Sequence, residues 1–166
     1  SDRAGVEFRY TSPAGEEGYP GALDTRVRYL LDDSPSLWIE YEAEAVDQTT
    51  AVNLTNHCYW NLGGEALVLS HELQLTARSV LEFDDSLLPT GLSLDVKTYE
   101  DGALDFSRPR VIDEAHQCLP AGNSGLDHAF HDFALGGAPL AANPSLRQVA
   151  RVVDPASRRS MRVFTD

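Results

Sequence analysis

Apolar and polar positions alternate with a period of two through most of this chain. Leu23, Thr25, Val27, Tyr29 and Leu31 fall on one face of an extended segment, with Asp24, Arg26 and Arg28 on the other. The next segment is cleaner: Leu37, Ile39, Tyr41, Ala43 and Ala45 alternate with Trp38, Glu40, Glu42 and Glu44. That is the pattern of a strand with one buried and one largely wet face. Asp32-Asp33-Ser34-Pro35-Ser36 separates the two, so the spacing predicts an antiparallel hairpin. Further strands are predicted over residues 6–10, 51–57, 71–76, 79–84, 147–154 and 160–165, divided by Gly, Pro, Asn and Ser. No segment sustains a 3.6-residue stripe, and only residues 112–117 have room for a turn or two of helix. Many strands at hairpin spacing predict an all-β antiparallel sandwich or barrel, with residues 136–144 as an exposed loop.

Composition narrows what such a fold can meet. The 166 residues predict one domain over 1–166, large enough for a real core. Against 26 Asp and Glu stand 13 Lys and Arg, a formal net charge of −13. Nucleic acid and anionic membrane surfaces both need clustered cations, so neither is an expected partner. The run Ala66-Leu67-Val68-Leu69 is far short of the roughly 20 apolar residues that span a bilayer. Ser1-Asp2-Arg3-Ala4-Gly5 has no signal-peptide character, and two cysteines, Cys58 and Cys118, make no disulfide framework. Reduced thiols in a cytoplasmic protein are the expectation. A strand at residues 6–10 almost opens the chain and another at 161–164 almost closes it, which predicts the central part of a longer domain.

The densest polar constellation is Asn53-Leu54-Thr55-Asn56-His57-Cys58-Tyr59-Trp60-Asn61-Leu62-Gly63-Gly64. If extended, it projects Asn53, Thr55 and His57 to one face, a hydrogen-bonding array suited to a polyhydroxylated ligand, while Tyr59 or Trp60 offers a platform to a sugar ring. The same residues also suit a strand end whose Asn side chains satisfy loop backbone. A second cluster, Asn123-Ser124-Gly125-Leu126-Asp127-His128-Ala129-Phe130-His131-Asp132, reads as a turn entering a strand, where Asp127 and His128 point to opposite faces. Its His128 and His131 spacing sits on a predicted strand and lacks a third ligand, so no metal site is assigned. Cys58 and His57, as strand neighbours, face apart and make a poor nucleophile pair. Gly15-Glu16-Glu17-Gly18-Tyr19-Pro20-Gly21 reads as a structured turn, its two glutamates solvated or capping backbone N–H groups, and Leu88-Pro89-Thr90-Gly91 as a tight turn. There is no phosphate-binding Gly-rich loop and no GxSxG.

Taken in order, these segments resemble the aldose 1-epimerase (galactose mutarotase) family, with Leu104-Asp105-Phe106-Ser107-Arg108-Pro109 as a weaker further match. The resemblance spans nearly the whole chain. It implies a galactose mutarotase-like β-sandwich that interconverts the α and β anomers of a free hexose, glucose or galactose, without metal or organic cofactor. It assigns the acid to the histidine of the NLTNH motif, His57, whose imidazole chemistry suits a group that both donates and accepts. It assigns a sugar hydroxyl ligand to Asp127; Asn53 and Trp60 join it as substrate-binding candidates. Cys58, Trp60 and Leu126 stand where the family often has Ser, Phe and Tyr. The resemblance places the general base, a glutamate, downstream of a strand like that at 161–164 and outside this chain, and further sugar-site residues upstream. A non-catalytic carbohydrate-binding module on the same scaffold is the alternative. A phosphosugar enzyme is disfavoured because the motif segments hold no cluster of Arg or Lys.

Overall fold

The computed structural model describes residues 3–119, 125–132 and 146–166. The chain divides into two compact units, residues 1–59 and 60–166. The expected exposed loop at 136–144 and the start of the second polar cluster, Asn123 and Ser124, lie outside the described residues.

The first unit is a three-stranded antiparallel sheet in the order β1 (Ala4–Ser12), β2 (Leu23–Leu31), β3 (Leu37–Ala45). Its registers put Phe8, Val27 and Tyr41 in one cross-strand row and Val6, Tyr29 and Ile39 in the next, so the alternation read along each strand becomes one continuous apolar face. The other face is charged. Arg28 reaches Glu7 at 2.6 Å and Glu42 at 3.1 Å, and the Arg3 guanidinium lies 4.2 Å above the Trp38 ring. Residues 13–21 form the expected turn around a short 3₁₀ segment (Glu16–Gly18). The Glu16 carboxylate accepts from the hydroxyls of Tyr10 and Ser12 at 2.6 and 2.5 Å, so it is held by side chains and not merely solvated.

Among its described residues the second unit carries two antiparallel sheets. One has the order β10 (Ser160–Thr165), β9 (Arg147–Val153), β4 (Glu72–Leu75), β7 (Arg110–Val111); the other runs β6 (Pro89–Asp95), β5 (Ser79–Phe83), β8 (Phe130–His131). Helix α1 (Ile112–Cys118) occupies the one place where the pattern left room for it. Val80, Val96, Ala103, Leu104 and Leu119 form the buried cluster, with Leu94, Tyr99, Leu126 and Phe130 packed against it. Full burial of each such large side chain contributes about 1.5–3 kcal/mol.

Two local expectations change. Residues 51–57 form no strand, because their polar side chains take the bonds a ladder would use. Asn56 Oδ1 accepts from the Cys58 N–H at 3.2 Å, its Nδ2 donates to the Tyr29 hydroxyl at 3.2 Å, and Thr55 Oγ1 donates to the Asn56 carbonyl at 3.3 Å. The tight turn expected at 88–91 lies earlier, where Asp84 Oδ1 accepts from the N–H groups of Ser86 and Leu88. Pro89 then opens β6, a position that needs no ladder donor, and Gly91, at φ 87°, falls where the β5–β6 register shifts.

Candidate functional site

Asn53 and His57 belong to the first unit, Trp60 and Asp127 to the second. In the first, Leu54 and Thr55 lie with Phe8, Val27, Tyr29 and Tyr41 around a shallow depression on the apolar sheet face. The bond from Asn56 to Tyr29 ties the segment to the middle strand. Phe8 meets Tyr29 edge-on at 6.1 Å between ring centroids. The face is open to solvent, with Phe8 and Tyr10 both 58% exposed. Burial raises the Tyr41 hydroxyl pKa, with Tyr29 and Cys58 adding to the effect, so the phenol stays neutral at ordinary pH.

Asn53 and His57 are exposed along this irregular segment. The His57 ring packs against Tyr59 at 5.3 Å between centroids, tilted by 41°. Its nitrogens make no hydrogen bond among the described residues, so the ring contact with Tyr59 is what orients this exposed imidazole.

In the second unit, Trp60 is 48% exposed, the intermediate state of an indole able to present one face. Asn61 builds the turn after it: Oδ1 accepts from the N–H groups of Gly63 and Gly64, both at 3.1 Å, and Nδ2 donates to the Glu65 carbonyl at 2.6 Å. Asp127 is exposed between two residues packed on the core, Leu126 and Phe130. Apolar neighbours that bury themselves thereby turn this carboxylate outward. His128 goes the other way. It is half-buried between Tyr99 and Phe130, at ring separations of 5.9 and 6.4 Å, and its Nδ1 is buried without a hydrogen-bond partner among the described residues. Burial lowers its pKa, against the attraction of Asp127, so the imidazole is neutral at ordinary pH.

No three His, Cys, Asp or Glu side chains converge as a metal site among the described residues. Cys58 and Cys118 are free and exposed, and no helix among the described residues is long and apolar enough to cross a membrane. Sequence reasoning missed the part played by Phe8, Tyr29 and Tyr41 beside the polar segment, although their shared face was visible in the alternation. It also missed His71, which is 1% exposed and whose Nε2 accepts from the Leu62 N–H at 3.1 Å. Nothing in its local pattern marks it.

The family model described as aldose 1-epimerase matches residues 1–166. The chain is 38% identical to a galactose mutarotase of Bos taurus over 163 residues, 97% of this chain and 43% of that protein, and 38% identical to that of Homo sapiens with the same coverage. A crystal structure of a galactose 1-epimerase from Lactobacillus acidophilus superposes with a TM-score of 0.68 at 32% identity, covering 92% of this chain and 42% of that one. The chain thus spans under half the length of these relatives. The fold class is the expected all-β, antiparallel, galactose mutarotase-like one.

Proposed function

The chain belongs to the aldose 1-epimerase family, and from that premise we propose that the protein interconverts the α and β anomers of a free hexose, glucose or galactose. The observation that carries this reading is the ordered set of family motifs on exposed side chains, His57 and Asp127 foremost. In the proposed reaction a base removes the proton of the anomeric hydroxyl while His57 gives a proton to the ring oxygen, and the bond between C1 and that oxygen breaks. The open aldehyde turns about its bond to C2. Closure returns the ring-oxygen proton to His57 and the other proton to the anomeric oxygen, giving the second anomer, so no atom is gained or lost. The opposing base is assigned to no residue of this chain.

Asp127 is the proposed acceptor for a sugar hydroxyl. Asn53 supplies an amide for another, and Trp60 an indole face against the ring. A single small sugar is the proposed partner, in keeping with the −13 charge, which disfavours polyanions. Two free thiols support a cytoplasmic setting.

Polarimetry tests the proposal. The intact protein should speed the decay of optical rotation of freshly dissolved α-D-glucose or α-D-galactose, and His57→Ala should slow it by about 10²–10⁴-fold, as for a lost general acid. An unchanged rate in that variant sinks the assignment. Saturable sugar binding without any mutarotation in the parent would point to a binding module instead.

A further inference from the structure

The backbone of Leu62, two residues beyond Trp60, is held through both its N–H and its carbonyl. The N–H donates to Nε2 of His71 at 3.1 Å. The Leu62 carbonyl accepts from Arg159 Nη1 at 3.0 Å and from Ser157 Oγ at 3.4 Å. The imidazole thus serves as the acceptor for this backbone donor. His71 is itself anchored by backbone: its N–H donates to the Val68 carbonyl at 3.0 Å and its carbonyl accepts from Ile112 at 2.9 Å.

Asp154, 2% exposed, organises the opposing jaw. Its Oδ2 accepts from the Ser157 N–H at 2.9 Å, its Oδ1 from that of Ala156 at 3.4 Å, and its own N–H donates to the Arg159 carbonyl at 2.9 Å. The turn so formed delivers Ser157 and Arg159 to Leu62. Gly63 slots between the jaws: a Cβ there would stand 3.2 Å from Asp154 Oδ2 and 3.4 Å from His71 Cε1. A buried imidazole spent on one backbone N–H of an irregular segment is costly to lose, because the donor would be left desolvated and unpaired.

We propose that His71 and Arg159 are positioning residues for Trp60, clamping the backbone of Leu62 so that the indole is presented in one place for a sugar ring. Neither touches the sugar, and the choice of ligand rests on the sugar-isomerase reading. The clamp itself does not.

The test uses the intact protein in a Trp38→Phe background, which leaves Trp60 as the sole indole of this chain. His71→Phe keeps a planar ring but removes the acceptor; His71→Gln restores an acceptor. His71→Phe should raise acrylamide quenching of Trp60 and raise KM for the hexose about tenfold with kcat within about twofold, while His71→Gln stays within about twofold of the parent in both. Equal behaviour of the two variants, or unchanged quenching in His71→Phe, overturns the proposal. Where His71→Phe does not fold, Arg159→Ala decides: this exposed side chain gives up one bond to the Leu62 carbonyl, quenching should rise, and unchanged quenching overturns the clamp. Quenching needs no sugar. A parent without mutarotase activity therefore defeats the functional reading alone, and the quenching comparison still judges the clamp.

Discussion

Glu7 on β1 and Arg28 on β2 stand opposite each other in register, and the Glu7 carboxylate accepts from Arg28 Nε at 2.6 Å. Arg28 turns its other nitrogens to Glu40 and Glu42 on β3, so one guanidinium links all three strands across the charged face. The hydrogen bond from Arg28, with a second from Arg9, holds Glu7 below its ordinary 4.5. A carboxylate depressed in the folded state stabilises above its unfolded value, and that contribution is lost as pH falls through the folded one. Stability in urea should therefore drop as pH falls below 4.5, and Glu7→Gln should flatten the drop. The pair is partly exposed, so added salt should shrink the difference. Equal slopes for parent and variant would remove Glu7 from the acid response.

His128 gives a second pH window with a different cause. Burial pushes its pKa below 6.5, while Asp127 pulls the other way. The unfolded chain then takes up a proton before the folded one does. The stabilising contribution is whole above 6.5 and declines as pH falls from there through the folded pKa. His128→Phe, which keeps an aromatic ring between Tyr99 and Phe130, should make stability less pH-dependent in that window. An NMR titration of the His128 ring that reports a midpoint at or above 6.5 would contradict this.

Asp127 should separate function from folding. Its carboxylate is exposed while Leu126 and Phe130 on either side pack on the core, so Asp127→Ala should leave stability within about 0.5 kcal/mol. A charged hydrogen bond to a sugar hydroxyl is worth about 1.5–3 kcal/mol, so kcat/KM for the hexose should fall roughly 10- to 150-fold. Calorimetry beside polarimetry measures both. A variant that unfolds, or one with full activity, defeats the assignment.

What was legible in the sequence follows from which forces are periodic. β2 and β3 were plain because every second residue, Val27 and Tyr29 or Ile39 and Tyr41, repeats the same environment. α1 was found for the complementary reason, a short stretch without alternation. Residues 51–57 misled because Asn53, Thr55 and His57 alternate with Val52, Leu54 and Asn56 as a strand would, and nothing in that order says that Asn56 will bond Tyr29 and Cys58. The site was legible as chemistry, in His57 and Asp127, but its supports were not. His71 and Asp154 lie 83 positions apart, and their joint grip on Gly63 arises from β4 pairing with β9, which local spacing does not encode.

Gly63 and Gly64 are adjacent, yet substitution should fail at each for a different reason, and asparagine tells them apart. Gly64 sits at φ 82° with no atom within 4 Å of where a Cβ would be. Alanine there meets only backbone strain, about 1–2 kcal/mol, and asparagine, which tolerates the left-handed region, should recover part of it. Gly63 has no such φ, but its Cβ would press on Asp154 Oδ2 at 3.2 Å and His71 Cε1 at 3.4 Å, two side chains that are both buried and engaged. Alanine should cost about 1–3 kcal/mol through overpacking, and the larger asparagine should cost more. Denaturant midpoints for the four variants should thus order oppositely at the two positions, Asn above Ala at Gly64 and Ala above Asn at Gly63. The same order at both would mean that steric room around Gly63 plays no part in holding the turn after Trp60.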